Sequence, residues 1–340
     1  MGENENIFLS MNLAWDSGNR DINSTRHLVP GEIVKFLREE YLNIPLNINL
    51  NDGFDPNSEG PDPELWDGGW RNVLDCLLWN GRRLNNLSEN YSLKNVLNGA
   101  NIVCTRGAVT SIGLSPDQAD AFGFKFLIDK FDNVLFIKEM NTEAKLEKHA
   151  RRTERERQTS YWSYKLKTVL AGHGREYKAY TTTIKTDTES NKSEDENQVK
   201  FFCLTNVDCR DDIENFLDIH IQANKLFNNN YFEQKAMNWW IQGTVVMMND
   251  VVVGFRNDDG ILLRAERVNL DHLHEGCQWN GNLCLQAIQL FFTELTNRYD
   301  DLVNSEQMLV LERKPNSKDI TFSVIPRTEI LTNEFRQFFT

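Results

Sequence analysis

The chain has 340 residues, 40% of them apolar and 26% charged, with a formal net charge of −13. That length and apolar content suffice for a sizeable buried core and exclude a disordered or fibrous polymer. The acidic balance excludes a surface that attracts nucleic acid as a whole, so an RNA ligand would need a locally basic groove. Cys76, Cys104, Cys203, Cys209, Cys277 and Cys284 lie mostly inside apolar runs and form no CxxC pair. They read as buried thiols of a reducing compartment. The opening run MGENENIFLSMNLAW lacks a basic stretch followed by a long apolar one, and no apolar run reaches membrane-spanning length. A protein of the nucleus, the cytoplasm or both is expected, neither secreted nor in a membrane.

Residues 46–66 are rich in Asn, Asp, Pro and Gly and read as an irregular connection. Over 67–86 the spacing predicts a helix with Trp70, Val73, Leu74, Leu77 and Leu78 on one face and Asp67 as its start signal. Residues 100–106 read as a strand, and 123–138 as a hairpin turning at Asp132-Asn133. A single long helix is expected over 141–170, charged first and aromatic-apolar later. The polar run 185–199 reads as a mobile surface loop. Strands over 200–207 and 214–221 and a helix over 231–248 follow. Strands over 250–256 and 261–268 then flank the turn Asn257-Asp258-Asp259-Gly260. A helix over 279–299 and strands over 307–312 and 320–325 complete the pattern. Strands and helices interleave without a dividing linker or repeat. One α/β (α+β) domain over 1–340, a large mixed β-sheet flanked by helices, is expected.

Five short stretches carry the chemistry. Arg106-Gly107 follows a strand, and Ser163-Tyr164-Lys165-Leu166-Lys167 lies on a helix. Asn206-Val207-Asp208 ends one strand and Asp218-Ile219-His220 lies on the next. Gln242 sits on the helix after them. Asp208 and Asp218 are carboxylates of the kind that hold a hard divalent ion. Further runs are INLNDGF from Ile48, Trp240-Ile241-Gln242, Val253-Gly254-Phe255-Arg256 and Trp279-Asn280.

Taken in this order, these stretches resemble the DXO family of decapping and 5′-end-processing RNA nucleases, from about Ile48 to near Val324. The resemblance implies the family's fold. It also implies a magnesium or manganese site built from Glu-x-Asp and Glu-apolar-Lys strands, a glutamate on a helix, and an Arg-Gly pair. Arg106-Gly107 fits that pattern, and Gln242 matches a glutamine beside the reaction centre. Lys167 stands where a metal-binding glutamate belongs, Asn206 replaces a second, Asp218 shortens a third, and His220 replaces the lysine. With His220 neutral, Asp208, Asp218 and Lys167 sum to −1. Two carboxylates allow one magnesium with waters and do not support two.

Two readings of Lys167 stay open. Its ammonium fills the metal hole against Asp208 or Asp218, or it is a relocated catalytic lysine in a reduced site of Asp208, Asp218, Lys167 and Gln242. The resemblance therefore implies a divergent member that binds RNA 5′ ends with activity lost or strongly weakened, a pseudoenzyme. The alternative is an active magnesium-dependent hydrolase that removes incomplete or atypical caps and trims RNA from the 5′ end. RNA, and not DNA, is the expected partner, with room for a protein partner.

The basic stretch 145–157 supplies Lys148, Arg151 and Arg152, which with Arg106 are candidate RNA contacts. The competing reading is a solvated helix with ion pairs such as Glu147–Arg151. Trp239-Trp240 reads as core more readily than as a base-stacking face. His272, His274 and Cys277 complete no tetrahedral metal site.

Overall fold

The computed structural model describes residues 7–10, 19–30, 35–57, 69–87, 91–117, 122–173, 176–186, 198–226, 230–274, 277 and 279–340. The chain opens with strands β1 (Ile7–Ser10), β2 (Arg20–His27) and β3 (Ile48–Asn49). Helices α1 (Trp70–Asn86) and α2 (Leu93–Val96) precede β4 (Ile102–Thr105) and α3 (Arg106–Gly113). The hairpin β5 (Phe124–Phe131) and β6 (Val134–Met140) leads into α4 (Glu143–Ala150) and α5 (Glu154–Ala171). Strands β7 (Glu176–Thr186), β8 (Gln198–Val207), β9 (Cys209–Arg210), β10 (Phe216–Leu217) and β11 (Ile219–Ala223) follow. The chain then forms α6 (Asn230–Thr244), β12 (Asp250–Arg256), β13 (Ile261–Asn269), α7 (Gly281–Leu302), β14 (Gln307–Arg313), β15 (Asp319–Pro326) and α8 (Asn333–Phe339).

Nine strands make one large mixed sheet in the order β1-β15-β14-β5-β6-β4-β8-β7-β2. Short β4 runs parallel to both β6 and β8, and the remaining pairs are antiparallel. A second sheet of β11-β12-β13-β3 has one parallel pair, β11 with β12. Side chains alternate across the pleat, so β8 sends Phe201, Cys203 and Val207 into a core under α3, α6 and α7. Its Phe202 and Leu204 enter a second core beneath α1 and α2. The third core joins Trp162, Leu166 and Leu170 of α5 to Ile219, Val252 and Leu262 of the small sheet.

The amphipathic face of α1 is as its spacing predicts: Trp70, Val73, Leu74, Leu77 and Leu78 are all buried. The expected start at Asp67 lies outside the described residues, and Gly69 is the N-cap, at φ 77°. The hairpin turns at Asp132 (φ 49°) and Asn133 (φ 60°), a pair of left-handed residues that matches the strand twist.

The single helix expected over 141–170 is two. Thr153 Oγ1 accepts the Glu156 N–H and the Glu156 carboxylate accepts the Thr153 N–H. This reciprocal capping box starts a new helix at Glu154. The predicted loop 185–199 is shorter than expected, because β7 runs to Thr186 and β8 begins at Gln198, pairing Lys185 with Gln198. Residues 187–197 lie outside the described residues. The irregular stretch 46–66 contains β3, which pairs Ile48 and Asn49 with β13; residues 58–66 are not described. The helix predicted over 231–248 stops at Thr244, since Met247 adopts φ 57° and Met248 N–H turns back to Gly243 O. The strand predicted over 214–221 is interrupted at Asp218, where the chain passes from one sheet to another.

Candidate active site

Both aspartates singled out by the sequence sit at strand breaks. Asp208 lies between β8 and β9, and Asp218 between β10 and β11. The Asp208 N–H donates to Leu217 O at 3.1 Å, and the Ile219 N–H donates to Asp208 Oδ2 at 2.8 Å. The Asp218 carbonyl accepts Val252 N–H at 2.9 Å. The two breaks thus lock to each other, which holds both carboxylates at the junction of the sheets. Both residues are buried.

Each carboxylate meets a cation of the chain itself. Lys167 Nζ of α5 lies 2.9 Å from Asp208 Oδ2, with a lysine side chain 38% exposed. Arg106 Nη1, at the start of α3, lies 2.7 Å from Asp218 Oδ2, and its side chain is 13% exposed. Arg106 Nη2 donates to Asn206 O at 2.8 Å, and Nη1 also reaches Gln242 O at 3.4 Å. A planar guanidinium spreads its donors over a wide fixed fork, so one side chain reaches these three separated acceptors. Gly107 beside it leaves little room: a Cβ there would lie 3.1 Å from Glu139 Oε2. Glu139 is buried and takes Lys145 Nζ of α4 at 3.0 Å.

His220 stacks on Trp239, with centroids 4.3 Å apart and planes 9° from parallel. Burial, and then the Lys167 charge, pull its imidazole down to about 3, so it is neutral at ordinary pH. Its Nε2 and the Asn206 Oδ1 are buried without a hydrogen-bond partner among the described residues. The structure therefore brings Lys167, Asp208, Asp218 and Arg106 into one site, with the backbone of Asn206 and Gln242 at its wall.

A family profile described as RAI1-like PD-(D/E)XK nuclease matches residues 21–336. The chain belongs to that family. It is 23% identical over 266 residues to decapping nuclease dom-3 of Caenorhabditis elegans, a match covering 74% of this chain and 65% of that protein. It is 28% identical over 116 residues to decapping nuclease RAI1 of Gibberella zeae, covering 32% and 30%. The matches thus span less than two thirds of these relatives' own length. Among solved structures, Scheffersomyces stipitis Rai1 in complex with (3′-NADP)+ and calcium ion superposes with TM-score 0.65 at 17% identity, covering 97% of this chain and 98% of that one. Candida albicans Rai1 in complex with pU5-Mn2+ superposes with TM-score 0.63 at 17% identity, over 97% and 98%. Schizosaccharomyces pombe Rai1 gives 0.64 at 15%, over 93% and 98%. These likenesses establish the DXO-like fold, a mixed sheet flanked by helices.

The donor set here does not fit the metal seen in such relatives. Magnesium and manganese require several oxygen ligands. Asp208 and Asp218 are both engaged by cations, and among the described residues no three His, Cys, Asp or Glu side chains are placed to hold an ion. Sequence reasoning found Lys167 by its misfit to the DXO-family pattern. It assigned Arg106 to RNA and missed its pairing with Asp218, which no motif spacing reveals. Glu139 and the stacking of Trp239 on His220 were also missed, because both depend on which elements pack together. Trp239 and Trp240 are buried in the core.

The remaining RNA candidates lie on the surface. Arg151 and Glu147 form an i,i+4 pair at 3.7 Å, both well exposed, and Lys148 Nζ lies 4.6 Å over the Phe122 ring. Arg152 is exposed just past α4. No described helix is long and apolar enough to cross a membrane.

Proposed function

We propose that this chain is a divergent DXO-like protein that binds RNA 5′ ends, with its hydrolytic activity lost or strongly weakened. The observation that carries the reading is the pairing of both remnant carboxylates, Asp208 with Lys167 and Asp218 with Arg106. Phosphodiester hydrolysis needs a group to orient and deprotonate water and positive charge on the reacting phosphate. Asp208 Oδ2 already takes the Lys167 ammonium and the Ile219 N–H. Arg106 likewise occupies Asp218 Oδ2, so each carboxylate's charge is already offset by a cation of the chain. The positive charge is retained on Lys167 and Arg106. Lys167 is partly exposed, and its ammonium carries three donors, so it can meet a phosphate oxygen while it stays paired with Asp208. The site is thereby suited to hold a phosphate and unsuited to cut it. The setting is the nucleus or the cytoplasm, on RNA and not DNA, with a protein partner compatible.

The test uses 5′-monophosphorylated and capped RNA with magnesium or manganese, followed by product analysis, and binding by fluorescence anisotropy in EDTA. We expect binding to persist in EDTA and no turnover. Cleavage at the rate of an active relative would overturn the reading. It would favour instead a metal-dependent decapping and 5′–3′ exonuclease, for which the position of Lys167 beside Asp208 is the supporting observation, a nuclease lysine next to its acid.

A further inference from the structure

One end of the large sheet carries a cleft that the remnant centre does not use. It holds about 480 Å³ and lies where the end of α2, the start of β4, the β5–β6 turn and the start of β8 meet. Because β4 sits between β6 and β8, these segments converge from neighbouring strands. Strands β4 and β8 run parallel away from the cleft, toward Arg106 and Asp208 at their far ends. Lys200 and Asp208 are eight residues apart along this path, which at strand rise is about 26 Å. The cleft is therefore a separate place on the molecule.

Two lysines line it, exposed Lys94 of α2 and half-buried Lys200 of β8. The chain leaves α2 through Asn98 and Gly99, at φ 51° and 77°, and the Gly99 N–H turns back to Lys94 O at 2.8 Å. A Cβ on Gly99 would lie 3.7 Å from Lys200 Nζ, so this ammonium stands over the turn that follows Lys94. Among the described residues neither lysine has a carboxylate within ion-pair distance. Asp132, exposed in the hairpin turn, also lines the cleft and likewise forms no ion pair with a described residue. In a chain of net charge −13 the lining is thus locally positive, two ammoniums against one carboxylate. The side-chain amides of Asn101 and Asn133 complete its polar groups.

This lining sorts ligands by their chemistry. The volume is that of a small-molecule site. Two ammoniums suit the oxygens of one phosphate. The Asp132 carboxylate repels further phosphates and accepts hydroxyl donors, as do the amide oxygens of Asn101 and Asn133. No aromatic side chain lines the cleft, so a nucleobase would find no ring to stack on. We propose that the cleft binds a small phosphorylated polyol, with its phosphate on Lys94 and Lys200 and its hydroxyls on Asp132, Asn101 and Asn133. The proposal stands apart from the RNA-binding reading, and its test uses no RNA.

The experiment titrates the full ¹⁵N-labelled chain in EDTA with glucose 6-phosphate, inorganic phosphate and glucose, and follows backbone amides by NMR. Glucose 6-phosphate should shift the Gly99, Asn101 and Asn133 amides and bind there at least about fivefold more tightly than inorganic phosphate, the worth of one hydrogen bond. Glucose alone should leave them in place. Lys94→Gln and Lys200→Gln, both reachable by solvent, should each weaken glucose 6-phosphate by about threefold or more. Asp132→Asn should shrink its advantage over phosphate without weakening phosphate itself. Unmoved amides at the cleft overturn the proposal, as do shifts confined to Lys167 and Asp208. So does undiminished affinity in both lysine variants. Glucose 6-phosphate that binds no better than phosphate, or an advantage that Asp132→Asn leaves whole, overturns the polyol assignment.

Discussion

Removing the Lys167 ammonium would leave Asp208 Oδ2 with the Ile219 N–H as its described hydrogen bond. Breaking a fully buried ion pair costs about 3–5 kcal/mol, but the lysine here is 38% exposed. Lys167→Ala should therefore destabilise the fold by about 1–3 kcal/mol, measured by urea unfolding. No loss of stability would show that the pair is idle. Replacing both altered ligands, Lys167→Glu with Asn206→Glu, should raise manganese affinity in calorimetry by more than the two single changes combined, because ligands of one ion act as a unit. Equal weak binding by wild type and the double variant would point to Arg106 on Asp218 as the remaining block. His27 offers a pH readout away from this site. Its Nε2 donates to Thr181 Oγ1 at 2.7 Å, and that hydroxyl donates to Leu97 O. Burial, and then the Lys200 charge, lower it to about 4. Between 6.5 and 4 the unfolded chain takes up the proton first, so stability falls as pH drops through that window. In thermal melts His27→Gln should flatten this part of the pH profile.

At the scale of elements, the junction of α4 and α5 depends on one capping box. Thr153→Ala removes the acceptor of the Glu156 N–H and should cost about 1 kcal/mol. Chemical denaturation checks this, and Thr153→Ser should restore most of the loss. The box was legible as Thr153-x-x-Glu156 and was outweighed by the continuous charged pattern around it. The strand breaks at Asp208 and Asp218 were not legible. A strand crossing from one sheet to another keeps its apolar composition, and only the Asp208–Leu217 and Asp208–Ile219 hydrogen bonds mark the crossing. Gly260 shows the opposite case. Its turn position was readable, whereas its closeness to Trp162, 2.4 Å from where a Cβ would stand, belongs to packing between α5 and the small sheet.

On the scale of the whole molecule, a net charge of −13 limits how RNA can be held. If Arg106 and Lys167 make the phosphate contacts, the affinity for single-stranded RNA should fall with salt at a slope of about −1.4, since each contact contributes roughly −0.7. Anisotropy titrations from low to moderate salt measure it. A much steeper slope would bring in the exposed Lys148, Arg151 and Arg152 as a further track. The sequence alone determined the fold family, the apolar faces such as that of α1, and the presence of altered residues at motif positions. Those properties reside in residue type and local spacing, which the chain carries before it folds. The tertiary structure alone decided that Lys167 pairs with Asp208 while Arg106 takes Asp218. These contacts join residues dozens or more positions apart, and their pairing depends on how the strands register and how α3 and α5 close over the junction between the two sheets.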